Sequence, residues 1–181
     1  MKRSKIALLG CTLAMASVAA AAEAGRAGYG PAPATGPAGS GAFSQVLASA
    51  TRSSSGGSLT ARTGSTSVAV AIPAGALQSP VQLTLVGADN TRRARLPGQA
   101  HASIAVRAAT TEGMPIQGRI SARPMTVTLK NPAVKPGDRV VGWSAAKRAF
   151  VAIPSRLVRF ARGSVTIQFN RPSEFAVLAA R

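Results

Sequence analysis

Ser144-Ala145-Ala146-Lys147 has the spacing of the S-x-x-K acylation motif. In that motif a serine at a helix start attacks a carbonyl, with a lysine one turn later on the same face. Here the four residues lie between two β-type runs, 139–143 and 149–153, where a hairpin loop is expected, and no K-T-G follows. His101 is the sole histidine and Cys11 the sole cysteine, too few ligands for a zinc site of the usual kind. The carboxylates beyond residue 25 are Asp89, Glu112, Asp138 and Glu174. Each is isolated in sequence beside turn or basic residues, and no D-x-D-x-D calcium loop occurs. A pair of carboxylates brought together from distant loops is the glycosidase-like arrangement that spacing leaves open. His101 is expected on a strand or loop surface. No catalytic residue, metal ligand or cofactor-binding residue is assigned from these groups.

The basic residues are more numerous. Lys and Arg total 22 against 5 Asp and Glu, a net charge of +17. Three arginines fall within four positions, Arg92, Arg93 and Arg95, in the run NTRRARLPG, and Lys147-Arg148 sit in the expected hairpin. A field of this sign attracts polyanions. These five residues are the candidate polyanion-binding set. A GC-rich coding sequence would give the same arginine bias without selection for binding. Aromatic residues to stack bases are few, and no nucleic-acid motif is present.

The elements that must position these groups can be read from patterning. Residues 1–24 have the form of a secretory signal. Lys2, Arg3 and Lys5 precede the apolar run IALLGCTLAMASVAA, and Ala22-Glu23-Ala24 fits a small-x-small cleavage site, with Ala20-Ala21-Ala22 as an alternative. The run is Ala-rich and short for a membrane span, which needs about 20 strongly apolar residues. Leu8-Leu9-Gly10-Cys11 imitates a lipoprotein box, but Cys11 follows Lys5 too closely to leave a usable apolar region before it. It reads as an ordinary signal residue rather than a lipid anchor. Residues 25–57 are rich in Gly, Pro, Ala and Ser and read as a flexible linker.

From residue 58 to 181 the texture becomes one of short β-runs between turns. The expected strands are 67–72, 81–87, 102–108, 125–130, 139–143, 149–153, 157–160, 164–169 and 174–179. Several alternate cleanly. Met125, Val127 and Leu129 oppose Thr126, Thr128 and Lys130, and Val165, Ile167 and Phe169 oppose Thr166 and Gln168. A period of two marks strands with one buried and one wet face. Pro97-Gly98, Pro136-Gly137-Asp138 and Arg162-Gly163 supply turns. The expected fold is all-β, a single antiparallel, immunoglobulin-like β-sandwich after a signal peptide and a disordered linker. Trp143, Phe150, Phe160, Phe169 and Phe175 are expected in its core.

Gly56-Gly57, the corner Ile72-Pro73-Ala74-Gly75-Ala76-Leu77, and Arg123-Pro124 followed by the run to Pro132 resemble a ZU-five domain, the sandwich of zonula occludens, Unc-five and ankyrin proteins. The bacterial exported versions are closest in outline, with Trp143 in a hairpin and 163–178 as the closing strand. The resemblance spans about 56–179. Pro73 ends a strand because it has no N–H to donate, and Gly75 is free to take a positive φ. Ala76 and Leu77 should then fold back and plug one end of the core. Some ZU-five domains are self-cleaving, through a His-Phe-Ser tripeptide. The matching positions here are Arg171-Pro172-Ser173. Arginine stays protonated and cannot serve as the base, so cleavage is not expected.

The function expected from the sequence is that of an exported, non-catalytic binding or structural module of the cell envelope or extracellular space. It would be secreted or periplasmic, its partner an unknown envelope protein or an anionic polymer, with no transmembrane domain in the mature chain. The alternative is a basic protein that binds a polyanion (anionic glycan, lipid head group or extracellular nucleic acid). A hydrolase ranks third.

Overall fold

The structure, a computed structural model, describes residues 39–88 and 96–180. The signal segment 1–24 and the linker as far as residue 38 lie outside the described residues. Eleven strands are described: β1 Phe43–Arg52, β2 Gly57–Thr63, β3 Thr66–Ile72, β4 Val81–Ala88, β5 Ala100–Ala109, β6 Met125–Lys130, β7 Arg139–Ser144, β8 Ala149–Ala152, β9 Val158–Ala161, β10 Ser164–Phe169 and β11 Ser173–Leu178. The helical element among them is one 3-10 turn, Ser155–Leu157. Among the described residues no helix is long and apolar enough to cross a membrane.

Every strand pairing is antiparallel. One sheet runs β1-β4-β5-β11-β7-β8 and the other β2-β3-β6-β10-β9. Their inward faces meet in one core. Leu83, Leu85 and Ile104 come from the first sheet, and Met125, Leu129 and Ile167 from the second, all essentially inaccessible. Each such side chain contributes about 1.5–3 kcal/mol relative to exposure. The molecule is a two-sheet β-sandwich, immunoglobulin-like in architecture.

The corner after β3 is built as its residues dictate. Ile72 closes β3, Pro73 is exposed, and Ala76 N donates to Pro73 O at 3.0 Å. Gly75 takes φ +70°, and its N–H donates to Ser54 O at 2.7 Å. Ala76 and Leu77 turn back into the core, at 0% and 1% exposure. The tighter glycine is Gly56, at φ +75° in the loop beneath. A Cβ there would collide with Ile72 O and lie 2.9 Å from Ala74 N.

Two sequence expectations change. The linker was expected to run to residue 57, but Phe43–Arg52 is strand β1, paired along its length with β4, and Gly57 already belongs to β2. Both are edge strands. In β1 two register shifts, between Phe43 and Gln45 and between Val46 and Ala48, break the alternation that marks a strand. In β2 only Leu59 is fully buried, so its apolar signal is a single residue.

The aromatic residues also divide. Phe169 and Phe175 are buried and meet edge-to-face at 5.6 Å. Trp143, Phe150 and Phe160 are only half-buried. Val140 and Gly142 of β7 face inward, opposite Val177 and Phe175, so alternation sends Val141 and Trp143 to the outer face. That outer face carries a second, smaller apolar cluster. Val86, Ala105, Val141 and Ala176 are covered there by Ala42, Phe43 and Leu96.

Candidate functional site

The groups that could do chemistry fall at three places. The first is one end of the sandwich, where β5 begins. His101 Nδ1 lies 3.0 Å from Asp138 Oδ2. Lys135 N donates to the same oxygen at 2.9 Å, and Ala180 N donates to Oδ1 at 3.3 Å. Burial pushes the Asp138 carboxyl up. The bonds from the Lys135 N–H, the His101 ring and the Ala180 N–H outweigh it and hold the carboxyl below its ordinary range. With an ionised acceptor, Nδ1 carries the proton. His101 lies on strand β5 and is partly exposed, and Asp138, isolated in sequence, gains a partner only through the fold. They are separated by 37 positions in the chain, and the fold pairs them.

Buried Asn131 stands beside this pair. Its Nδ2 reaches Thr66 Oγ1 and His101 O, both at 2.8 Å, and Ser65 Oγ at 3.2 Å. Its Oδ1 accepts from Ala133 N at 2.9 Å. An open groove of about 530 Å³ lies alongside, with His101, Ser103, Thr66 and Asn131 among its walls. A carboxylate-held imidazole is the arrangement of a general base. Among the described residues, however, no hydroxyl is hydrogen-bonded to that ring. What the bonds do accomplish is mechanical. They tie the start of β5 to the 135–138 turn and to the chain after β11.

The second place is the β7–β8 hairpin. Ser144 Oγ accepts from Lys147 N at 3.3 Å, and Arg148 N donates to Ala145 O at 3.4 Å. The S-x-x-K serine thus caps a turn, as the loop reading required, with no helix to bring the Lys147 amine to it. Lys147 and Arg148 are exposed. Arg148 sits at φ +48°, the single positive φ of a non-glycine residue among the described ones. Behind the turn Trp143 and Phe150 meet edge-to-face at 5.3 Å. Arg92, Arg93 and Arg95, the other members of the predicted cationic set, lie outside the described residues.

The third place is the closing strand. Ser173 opens β11 opposite Val106, with exposed Arg171 and half-buried Pro172 before it. Glu174 is buried beside it, and its Oε2 accepts from Ser40 N at 3.0 Å. Gly39 passes so close that a Cβ would overlap the Glu174 carboxylate. Glu112 is exposed and accepts from Thr111 Oγ1 at 2.9 Å.

Asp138 and Glu174 are thus bound within the fold, and among the described residues no carboxylate pairs with a lysine or arginine. Among the described residues no group of three His, Cys, Asp or Glu forms a metal-ligand set. No protein-family model matches the chain, and no curated protein matches it. The arginines themselves divide into two kinds. Arg107 donates to Phe43 O at 3.0 Å, and Arg119 to Ser121 O at 2.9 Å, so both brace backbone. Arg62, Lys130 and Arg159 are exposed on strands of the second sheet. The sequence-based candidate set omitted these three. For Lys130 the signal was present in the clean alternation of β6; β2 and β9, with one fully buried residue and none, gave little.

Proposed function

We propose that the chain is an exported, non-catalytic binding and structural module of the ZU-five-like type, acting at the cell envelope or outside the cell. The observation that supports it is the use made of its reactive side chains. Asp138, His101 and Asn131 lock one end of the sandwich, Ser144 caps a hairpin, and Glu174 fastens Ser40. The surface is left with cations that no described carboxylate offsets, which favours an anionic partner. A second reading follows from that charge. The accessible Lys147-Arg148 turn would carry a polyanion-binding patch, and Arg92, Arg93 and Arg95, the other cations of the expected set, lie outside the described residues.

The test is co-sedimentation of the exported protein with envelopes of its own cells, together with hydrolysis assays on ester and glycoside substrates. Retention on envelopes and no turnover is the expected result. Turnover abolished by His101→Ala, in a variant that still folds, would overturn the non-catalytic reading in favour of a hydrolase.

A further inference from the structure

The β2-β3-β6-β10-β9 sheet has an outward face composed almost wholly of hydroxyl, amide, alanine and cationic side chains. Register aligns them in rows across the strands. One row reads Arg62, Ser67, Lys130, Ser164, Ala161. The next reads Thr60, Ala69, Thr128, Thr166, Arg159. A third reads Ser58, Ala71, Thr126, Gln168. Neighbouring strands lie about 4.8 Å apart, and successive residues of one face about 6.7 Å apart along a strand. Arg62 and Lys130, two strands apart, are therefore separated by about 10 Å at the backbone, and Arg159 lies two strands beyond Lys130, one row over.

Three properties of this face point to one kind of partner. It bears three cations and no carboxylate, so its charge is uncompensated. The hydroxyls are organised: Thr128 Oγ1 and Thr166 Oγ1 are 3.1 Å apart, so one donates to the other and the second hydroxyl hydrogen is left for a ligand. And the face has no aromatic ring. Phe169 of this sheet is turned into the core, and Phe160 packs against that core from its edge. Nucleic acid single strands are held by stacking bases on such rings, which this surface does not offer. A polymer of hydroxylated rings with spaced acid groups matches both the cations and the hydroxyl rows.

We propose that this sheet face binds an anionic polysaccharide laid across its strands, with Arg62, Lys130 and Arg159 meeting acid groups and Thr128, Thr166 and Gln168 meeting ring hydroxyls. This rests on the reading of the chain as a binding module and names the partner class and the surface. It differs from the Lys147-Arg148 patch, which belongs to the other sheet.

The experiment measures binding of the full exported protein to heparin, polygalacturonate, neutral dextran and single-stranded DNA across a salt series. Three forms are compared: the wild type, Arg62→Gln with Lys130→Gln and Arg159→Gln, and a control with the same loss of charge off this face, at the exposed Arg123→Gln with Lys135→Gln and Arg139→Gln. The face variant should bind the acidic glycans about tenfold more weakly at physiological salt, with a log–log salt slope flatter by about 2 units, each neutralised charge being worth roughly 0.7–0.9. The control should change by less than about twofold. Thr128→Val with Thr166→Val keeps the charge and the β-branched shape, and should weaken glycan binding several-fold at unchanged salt slope. Equal losses in face variant and control would overturn the proposal in favour of diffuse net charge. DNA bound as tightly as the glycans, with no effect of the Thr→Val pair, would overturn the partner class. Envelope retention that persists in the face variant while glycan binding is intact would overturn the site but leave the module reading standing. Absence of envelope retention in the wild type would remove that reading itself.

Discussion

At Asp138 three donors from distant parts of the chain converge on one carboxylate: the His101 ring, the Lys135 N–H and the Ala180 N–H. An isolated buried carboxylate would be destabilising, because desolvation disfavours its charge. Here the bonds reverse the balance, and its pKa falls below the ordinary value. A folded-state pKa below the unfolded one gives stability that is present above the unfolded carboxylate pKa, about 4, and is lost as pH falls through the folded value. Asp138→Asn should therefore cost about 1–3 kcal/mol at pH 7. Urea midpoints of wild type and variant should draw together as the pH is lowered from 7 through the carboxylate range below about 4. A deficit of equal size at both ends would show that the carboxylate charge contributes nothing. His101 and Asp138 were each visible in the sequence as lone residues. Their contact was not, because nothing local to either announces a partner 37 positions away.

β1 shows why strands differ in legibility. β6 and β10 read plainly because their inward residues are all apolar and their outward ones all polar or cationic. β1 reads FSQVLASATR, with its apolar residues out of phase, and its two bulges account for that phase. It still carries structure. Phe43 is 2% exposed and roofs the second apolar cluster, and its carbonyl receives Arg107. Phe43→Ala should destabilise the domain by about 3–5 kcal/mol, measured by urea unfolding. A loss under about 0.5 kcal/mol, the value typical of a surface position, would return 43–52 to the linker. The Ile72–Leu77 corner is the opposite case. Pro73 and Gly75 foretold the end of the strand and the turn, and Gly75 takes a positive φ; the positive φ of Gly56, within the expected linker, was not foretold.

For the whole molecule, the net charge bears on the proposal that the protein is exported. The residues beyond the expected signal retain 19 basic and 4 acidic side chains. A surface of that sign is suited to polyanions met outside the cytoplasm. The exported protein should begin at Glu23 or Gly25, which mass analysis of its N-terminal peptide will show. A lipidated Cys11 at the new N-terminus would instead make it an anchored protein. The sequence by itself determined that the chain is all-β from the strands after residue 66 onward. It also determined which side chains of β3, β4, β6 and β10 point inward, because a period of two is a property of the chain alone. It determined the strand-ending role of Pro73 and the left-handed turn at Gly75 for the same reason. Only the tertiary structure decided which strands lie side by side, and at what register. Register is fixed by the collective burial of both inward faces, which no single segment encodes. That collective choice drew β1 into the sheet, sent Trp143 to its outer face and joined His101 to Asp138. It also set Arg62, Lys130 and Arg159, from three separate strands, on one surface among rows of hydroxyls.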